Sequence, residues 1–173
     1  MNNILILFFC CALSTIVSGK ENCSLEAVGL TSKADIAQKL FYTGTCHYRN
    51  KDYEGAAASW EKLSVLEEVN PDYNNLQVDA LNNLGYLKFF GYGVNTDKKL
   101  AIKFWEKAIT LGQYESEYHL CHAYADSDEP TFDVAKAKKH CEKAYFIYNG
   151  IENKSEGQKE IFELVKKYRA SIQ

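Results

Sequence analysis

The sequence predicts an all-α fold, a right-handed solenoid of three helical hairpins whose open end is covered by a seventh, C-terminal helix. Three observations carry that prediction. Sliding the sequence against itself by 36 residues superposes Leu84 on Leu120, Ala101 on Ala137, Lys107 on Lys143 and Ala108 on Ala144. Self-similarity at that period marks stacked hairpins, each too small to bury its apolar face alone. Small residues stand where paired helices must touch, at Gly44, Ala56, Gly85, Ala101, Ala108, Ala137 and Ala144. Finally, a chain with only two prolines, rich in Ala, Leu, Tyr and Phe, suits helices better than a sheet or a disordered tail.

Taken in order, the chain opens with an uncharged run of 14 residues, Ile4 to Val17, too short to span a bilayer comfortably and of the length of a secretory signal core. Val17-Ser18-Gly19 then places small side chains where a signal peptidase inspects them. Residues 1–19 therefore read as a signal peptide and residues 20–173 as one repeat domain, with no membrane insertion after cleavage. The protein is expected to be exported, periplasmic or secreted. What remains after the leader suffices for one continuous core and not for two. The net charge of −3 is spread over interspersed Lys and Glu, and the lack of a basic stripe argues against nucleic acid as a partner.

Helices are expected over 33–49 and 53–68, then 76–90 and 97–111, then 114–126 and 132–148. In the first pair Trp60-Glu61-Lys62-Leu63 mirrors Trp105-Glu106-Lys107-Ala108, and Lys51-Asp52-Tyr53 replaces a longer loop. Trp60, Phe104 and Trp105 have the bulk to fill the wedge between hairpins. In the second pair the helices are separated by Gly91-Tyr92-Gly93-Val94-Asn95-Thr96-Asp97, whose glycines permit positive φ and whose Asp97 suits a helix start. The last helix begins at Ser155, with Gln158 at capping-box spacing, and runs through Ile161, Leu164, Val165 and Tyr168.

Leu84-Gly85, Gly91-Tyr92-Gly93-Val94, Asp97, Ala101, Phe104-Trp105, Lys107-Ala108 and Gly112 together resemble a nearly complete Sel1-like repeat. Residues 34–71, with Gly44, Tyr53, Ala56, Trp60 and Pro71, are similar to a more ordinary tetratricopeptide unit. Residues 115–150 look like a degenerate Sel1 repeat. Two departures stand out: Lys88 sits where the family usually has Tyr, and Ser127-Asp128-Glu129-Pro130 replaces the glycine loop. The resemblance implies a module that binds a protein on its concave face, lined by the first helix of each hairpin. Transferred by register, that face takes in Phe41, Tyr48 and Arg49, then Asn82, Tyr86, Phe89 and Phe90, then Tyr118 and His122. Aromatic residues and Arg are frequent interface anchors, although each of these rings could equally serve the core, because the first helix of a hairpin also packs inward.

The resemblance also implies a non-enzymatic protein without a cofactor. Exported relatives of this kind include immunity proteins that neutralise a toxin or effector delivered to the periplasm, and adaptors for envelope assembly or host interaction. Cysteine-bridged Sel1-like proteins have further been linked to binding or hydrolysing β-lactam compounds. Ser32-Lys33-Ala34 has the wrong spacing for a Ser-x-x-Lys nucleophile motif. A structural homodimer, paired through an apolar end of the stack, is the third class of function.

In an exported chain Cys23, Cys46, Cys121 and Cys141 are expected to be oxidised, and three pairings are open in principle. Cys121 and Cys141 fall on the two helices of one hairpin, at the repeat positions of Gly85 and Trp105, so a bridge between them would staple that hairpin and leave Cys46 for Cys23. A metal site among His119, Cys121, His122, His140 and Cys141 competes with this reading. Adjacent helical residues point about 100° apart, however, so those pairs cannot all converge. A Cys-His catalytic pair lacks a third residue in recognisable order.

Overall fold

Asp35, Asp52, Asp97, Asp133 and Ser155 each open a helix in the computed structural model, which describes residues 20–172. Their side chains accept hydrogen bonds from backbone N–H groups of the first turn, donors that the helix leaves unpaired. Asp35 with Gln38 and Ser155 with Gln158 complete capping boxes. The helices so started are α1 (Ile36–Arg49), α2 (Tyr53–Ser64), α4 (Lys98–Thr110), α6 (Val134–Asn149) and α7 (Glu156–Ser171). The remaining two, α3 (Asn74–Phe90) and α5 (Ser116–Ala125), have no side-chain cap. All regular structure among the described residues is helical. The leader expected at residues 1–19 lies outside them. No described helix is long and apolar enough to cross a membrane.

The starts of α1, α5 and α6 come two or three residues later than expected, and two further boundaries differ for reasons of packing. Helix α2 stops at Ser64, four residues short of 68. Carbonyls at its end and just past it are taken by α3: the Gln77 amide donates to Leu63 O (3.0 Å) and Leu66 O (2.9 Å). Glu67 and Glu68 would moreover have stood at the negative end of the helix dipole. Helix α3 begins two residues early because Pro71 starts a 3-10 turn over Pro71–Tyr73 that leads straight into it.

α1–α2, α3–α4 and α5–α6 form the three hairpins. In the first two the helices meet at a glycine facing a tryptophan. A Cβ on Gly44 would lie 2.7 Å from Trp60 Nε1, and one on Gly85 would lie 2.3 Å from Trp105 Nε1. Each indole N–H donates to the carbonyl three residues before its glycine, Trp60 to Phe41 (3.3 Å) and Trp105 to Asn82 (3.1 Å). In the third hairpin the same two places hold Cys121 and Cys141, which form a disulfide and are fully buried. A second disulfide, Cys23–Cys46, ties the N-terminal segment to α1. Glu21 reinforces it by pairing with Arg49 (2.8 Å) and exchanging backbone hydrogen bonds with the Asn50 amide.

Helix α7 packs on α6 and α5 as the first helix of a further hairpin would. Val165 and Ile172 are buried in the core shared with Leu120, Cys121 and Ala144, while Lys159, Glu160, Glu163, Lys166 and Lys167 face solvent. This is the polar-faced terminal layer that a stack of repeats requires.

Candidate concave binding site

The first helices of the hairpins frame a cavity of about 340 Å³. Phe41, Thr45 and Tyr48 come from α1, Trp60 from α2, Asn82, Asn83 and Tyr86 from α3, and His119 from α5. The glycine junctions explain why these residues meet. Aligning Gly44 on Gly85 brings Phe41 into the register of Asn82 and Thr45 into that of Tyr86, while the 36-residue repeat makes His119 the equivalent of Asn83. Equivalent positions of α1 and α3, and of α3 and α5, thus meet in the cavity, with Trp60 of α2 beside them.

The wall beside it depends on the glycine loop. Gly93 has φ of +64°, and a Cβ there would lie 2.4 Å from Glu54 N and from Tyr53 C, so only glycine lets the loop reach the start of α2. That approach stacks Tyr92 on Tyr53 at 5.2 Å and brings it 5.7 Å from Tyr86. Tyr86 also contacts Phe90 at 4.9 Å, and Tyr48 packs against Tyr53 and Trp60. Burial pushes the Tyr86 phenol up to about 12 and raises that of Tyr48; Tyr53 and Tyr92 add to both, while the Tyr86 hydroxyl opposes the rise at Tyr48. His119 lies flat on Trp105, with ring centroids 4.9 Å apart and planes 12° from parallel. Its imidazole is held down at about 4, first by burial and then by His122 nearby. None of the eight lining residues carries a charge at neutral pH.

Of the residues transferred by register, Phe41, Tyr48, Asn82 and Tyr86 line this cavity. Phe90 stands on its rim, partly exposed and stacked on Tyr92. Arg49 lies apart from it, engaged with Glu21. Phe89 is 1% exposed and belongs to the core. It stands one turn after Gly85, on the side of α3 that meets Trp105, and the Lys98 ammonium covers its ring. Tyr118 and His122 are drawn to the C-terminal end instead. Tyr118 packs with the core around α5 and α6, and His122 Nδ1 lies 2.6 Å from the Tyr168 hydroxyl of α7.

Thr45, Trp60, Asn83 and His119 are additions that sequence reasoning missed. For Thr45, Asn83 and His119 the signal was the glycine register and the 36-residue repeat. Trp60, expected from the sequence as a wedge between hairpins, both closes its hairpin and borders the groove.

The cavity offers ring faces and amide groups. The Thr45 hydroxyl donates to Phe41 O (2.9 Å) and the Ser116 hydroxyl to Asn82 Oδ1 (2.7 Å), so neither is set up as a nucleophile with an adjacent base. The earlier metal and Cys-His alternatives lose their thiols to the Cys121–Cys141 bridge. The histidines also diverge: His140 Nδ1 faces Glu117 at 2.6 Å, His122 faces Tyr168, and His119 lies on Trp105. Among the described residues, no group of three or more His, Cys, Asp and Glu is placed to hold a metal ion.

Paired helices repeated around a shared core, with a terminal polar-faced helix, define a helical-hairpin repeat protein. Residues 78–113 and 115–145 match the family model of the Sel1 repeat, so this part of the chain carries two Sel1-like repeats. Repeats of this family mediate protein–protein interaction and are generally not catalytic. No curated protein and no solved structure matches the chain significantly.

Proposed function

We propose that the chain is an exported, non-enzymatic binding module that holds one partner protein on the concave face formed by α1, α3 and α5. The observation that carries this reading is the uncharged, aromatic-walled cavity at the centre of that face. Buried aromatic contacts surrounded by water-excluding neighbours are where interface energy concentrates. The two disulfides suit an oxidising compartment and support export. A toxin or effector reaching the periplasm is the partner that would make the protein an immunity factor; a resident envelope protein would make it an adaptor.

The test is affinity capture by residues 20–173, produced oxidised, beside Tyr86→Ala and Asn83→Lys variants of unchanged helicity. Protein retained by the wild type and lost from both variants supports the reading. Inhibition of a retained toxin or hydrolase would then identify an immunity role. Retention that ignores both substitutions moves the binding site off the concave face.

A further inference from the structure

Charge is abundant over this chain, with 25% of its residues Asp, Glu, Lys or Arg, yet the cavity has none in its lining. The charged residues that adjoin Tyr48 and Tyr53 in sequence are already engaged: Arg49 pairs with Glu21, and the Asp52 carboxylate meets His47 Nδ1 (2.7 Å) while accepting from Gly55 N (3.0 Å). A partner's Lys, Arg, Asp or Glu entering the cavity would lose its water without gaining a counter-charge, which is costly. At about 340 Å³ the space is at the small end for ligand sites, suited to one large side chain and not to an extended molecule.

The polar groups narrow the choice. Among the described residues the Asn83 amide has no intramolecular hydrogen-bond partner, and Asn82 uses only its oxygen, as acceptor from Ser116. An aliphatic side chain would leave these amides facing apolar carbon, whereas a Tyr hydroxyl or Trp indole N–H could meet one of them. The rings of Phe41, Trp60 and Tyr86 offer faces and edges for a guest ring, and their positions are set beforehand by the Trp60–Phe41 hydrogen bond and the packing around Tyr86.

We propose that the cavity is an anchor pocket for a single uncharged aromatic side chain, Tyr or Trp, projected from the bound segment of the partner. Asn83 and the free amide nitrogen of Asn82 pair with the polar tip of that side chain or with the adjoining main chain. This inference rests on the reading of the concave face as the partner site.

The experiment is selection of a displayed random heptapeptide library on oxidised residues 20–173, with each enriched peptide re-measured against Asn83→Lys and Thr45→Lys variants of unchanged helicity. Enrichment of one Tyr or Trp position, with affinity falling about tenfold or more in the variants, is the expected result. Peptides that depend on the groove but are anchored by Lys, Arg, Asp, Glu or an aliphatic residue overturn the anchor chemistry and leave the concave site standing. Peptides indifferent to both variants overturn the concave site itself. As an independent readout, N-acetyltryptophanamide should shift the His119 ring resonances, and the arginine analogue should not. Failure of any peptide to enrich, or a shift produced only by the arginine analogue or by a neutral oligosaccharide, overturns the proposal.

Discussion

The second and third hairpins close the same joint by different chemistry. At the point where α3 meets α4, Gly85 makes room for Trp105, and the indole both fills the space and hydrogen-bonds the Asn82 carbonyl. Thirty-six residues later, where α5 meets α6, Cys121 and Cys141 form a covalent link. Beside it Glu117, 2% exposed, lies 2.6 Å from His140 Nδ1 and pairs with the Lys143 ammonium at 2.8 Å. A glycine–tryptophan joint stabilises the native state through buried area and contact, whereas a disulfide acts largely by restricting the unfolded chain. One backbone geometry therefore accepts two solutions whose energies arise in different states.

The comparison breaks most visibly on removal of each closure. Trp105→Ala should cost about 3–5 kcal/mol, the range for a large buried ring. Cys121→Ala with Cys141→Ala should cost about 3 kcal/mol, as expected for a bridge across a short loop. Urea unfolding of both variants checks the order, and a costlier bridge removal would show that the third hairpin leans on its disulfide more than the second does on its indole. Cys121→Ala alone should also release one titratable thiol, at Cys141.

Acid tests the border between the two hairpins, because His119 belongs to α5 but lies on Trp105 of α4. Its folded-state value of about 4 is below the ordinary 6.5, so the unfolded chain binds the proton more readily. Stability is therefore unaffected by this group above pH 6.5, falls as pH drops from 6.5 to 4, and carries the full penalty below that, about 3 kcal/mol for a displacement of this size. Burial lowers His122 as well, with Asp126 and Glu129 opposing, and it contributes with the same sign. Stability curves measured from pH 7 to 4 should flatten in His119→Phe, which keeps the stack and removes the proton. A slope unchanged by this substitution would locate the acid sensitivity elsewhere.

A smaller effect, about 2 kcal/mol of overpacking, is expected for Gly85→Ala. The new methyl would approach the indole to 2.3 Å, against 2.7 Å for Gly44→Ala at Trp60, so the second hairpin should lose more than the first. Thermal melts of the two variants give the ranking directly.

What was legible in the sequence was whatever is local or periodic. The Asp and Ser caps, the small residues at the joints and the 36-residue repeat locate the helices and hairpins without any knowledge of their packing. The groove was legible only in part. Phe41, Tyr48, Asn82 and Tyr86 follow from repeat register, but Phe89 differs from Phe90 by one position on the helix and thereby turns into the core. Arg49 is captured by Glu21, 28 residues upstream, and His122 by Tyr168, 46 residues downstream. Those contacts depend on how the N-terminal segment and α7 fold back onto the stack, and no period in the sequence encodes them. The end of α2 was misplaced for a similar reason, since the residue that satisfies its carbonyls, Gln77, comes from the next hairpin.

The loops supply the finest comparison. The second hairpin turns through Gly91 and Gly93, both with positive φ, while the third turns through Ser127-Asp128-Glu129-Pro130 without a glycine. Both nevertheless end on one backbone bond at equivalent positions, Asp97 N to Lys88 O and Asp133 N to Tyr124 O, each 2.9 Å. Each then caps the following helix, Asp97 accepting from Leu100 N and Asp133 from Lys136 N. In the third loop Asp128 N donates to the Asp126 carboxylate and the Thr131 hydroxyl donates to Ala123 O, side-chain bonds that take over the turn-forming role of the glycines. If the cap is the element the two loops share, Asp97→Ala and Asp133→Ala should cost the same, about 1 kcal/mol each. A clearly larger loss for Asp133→Ala would mean that the glycine-free loop depends on its cap to hold its path, and that the glycine loop is held by its own conformation and by the contact of Gly93 with α2.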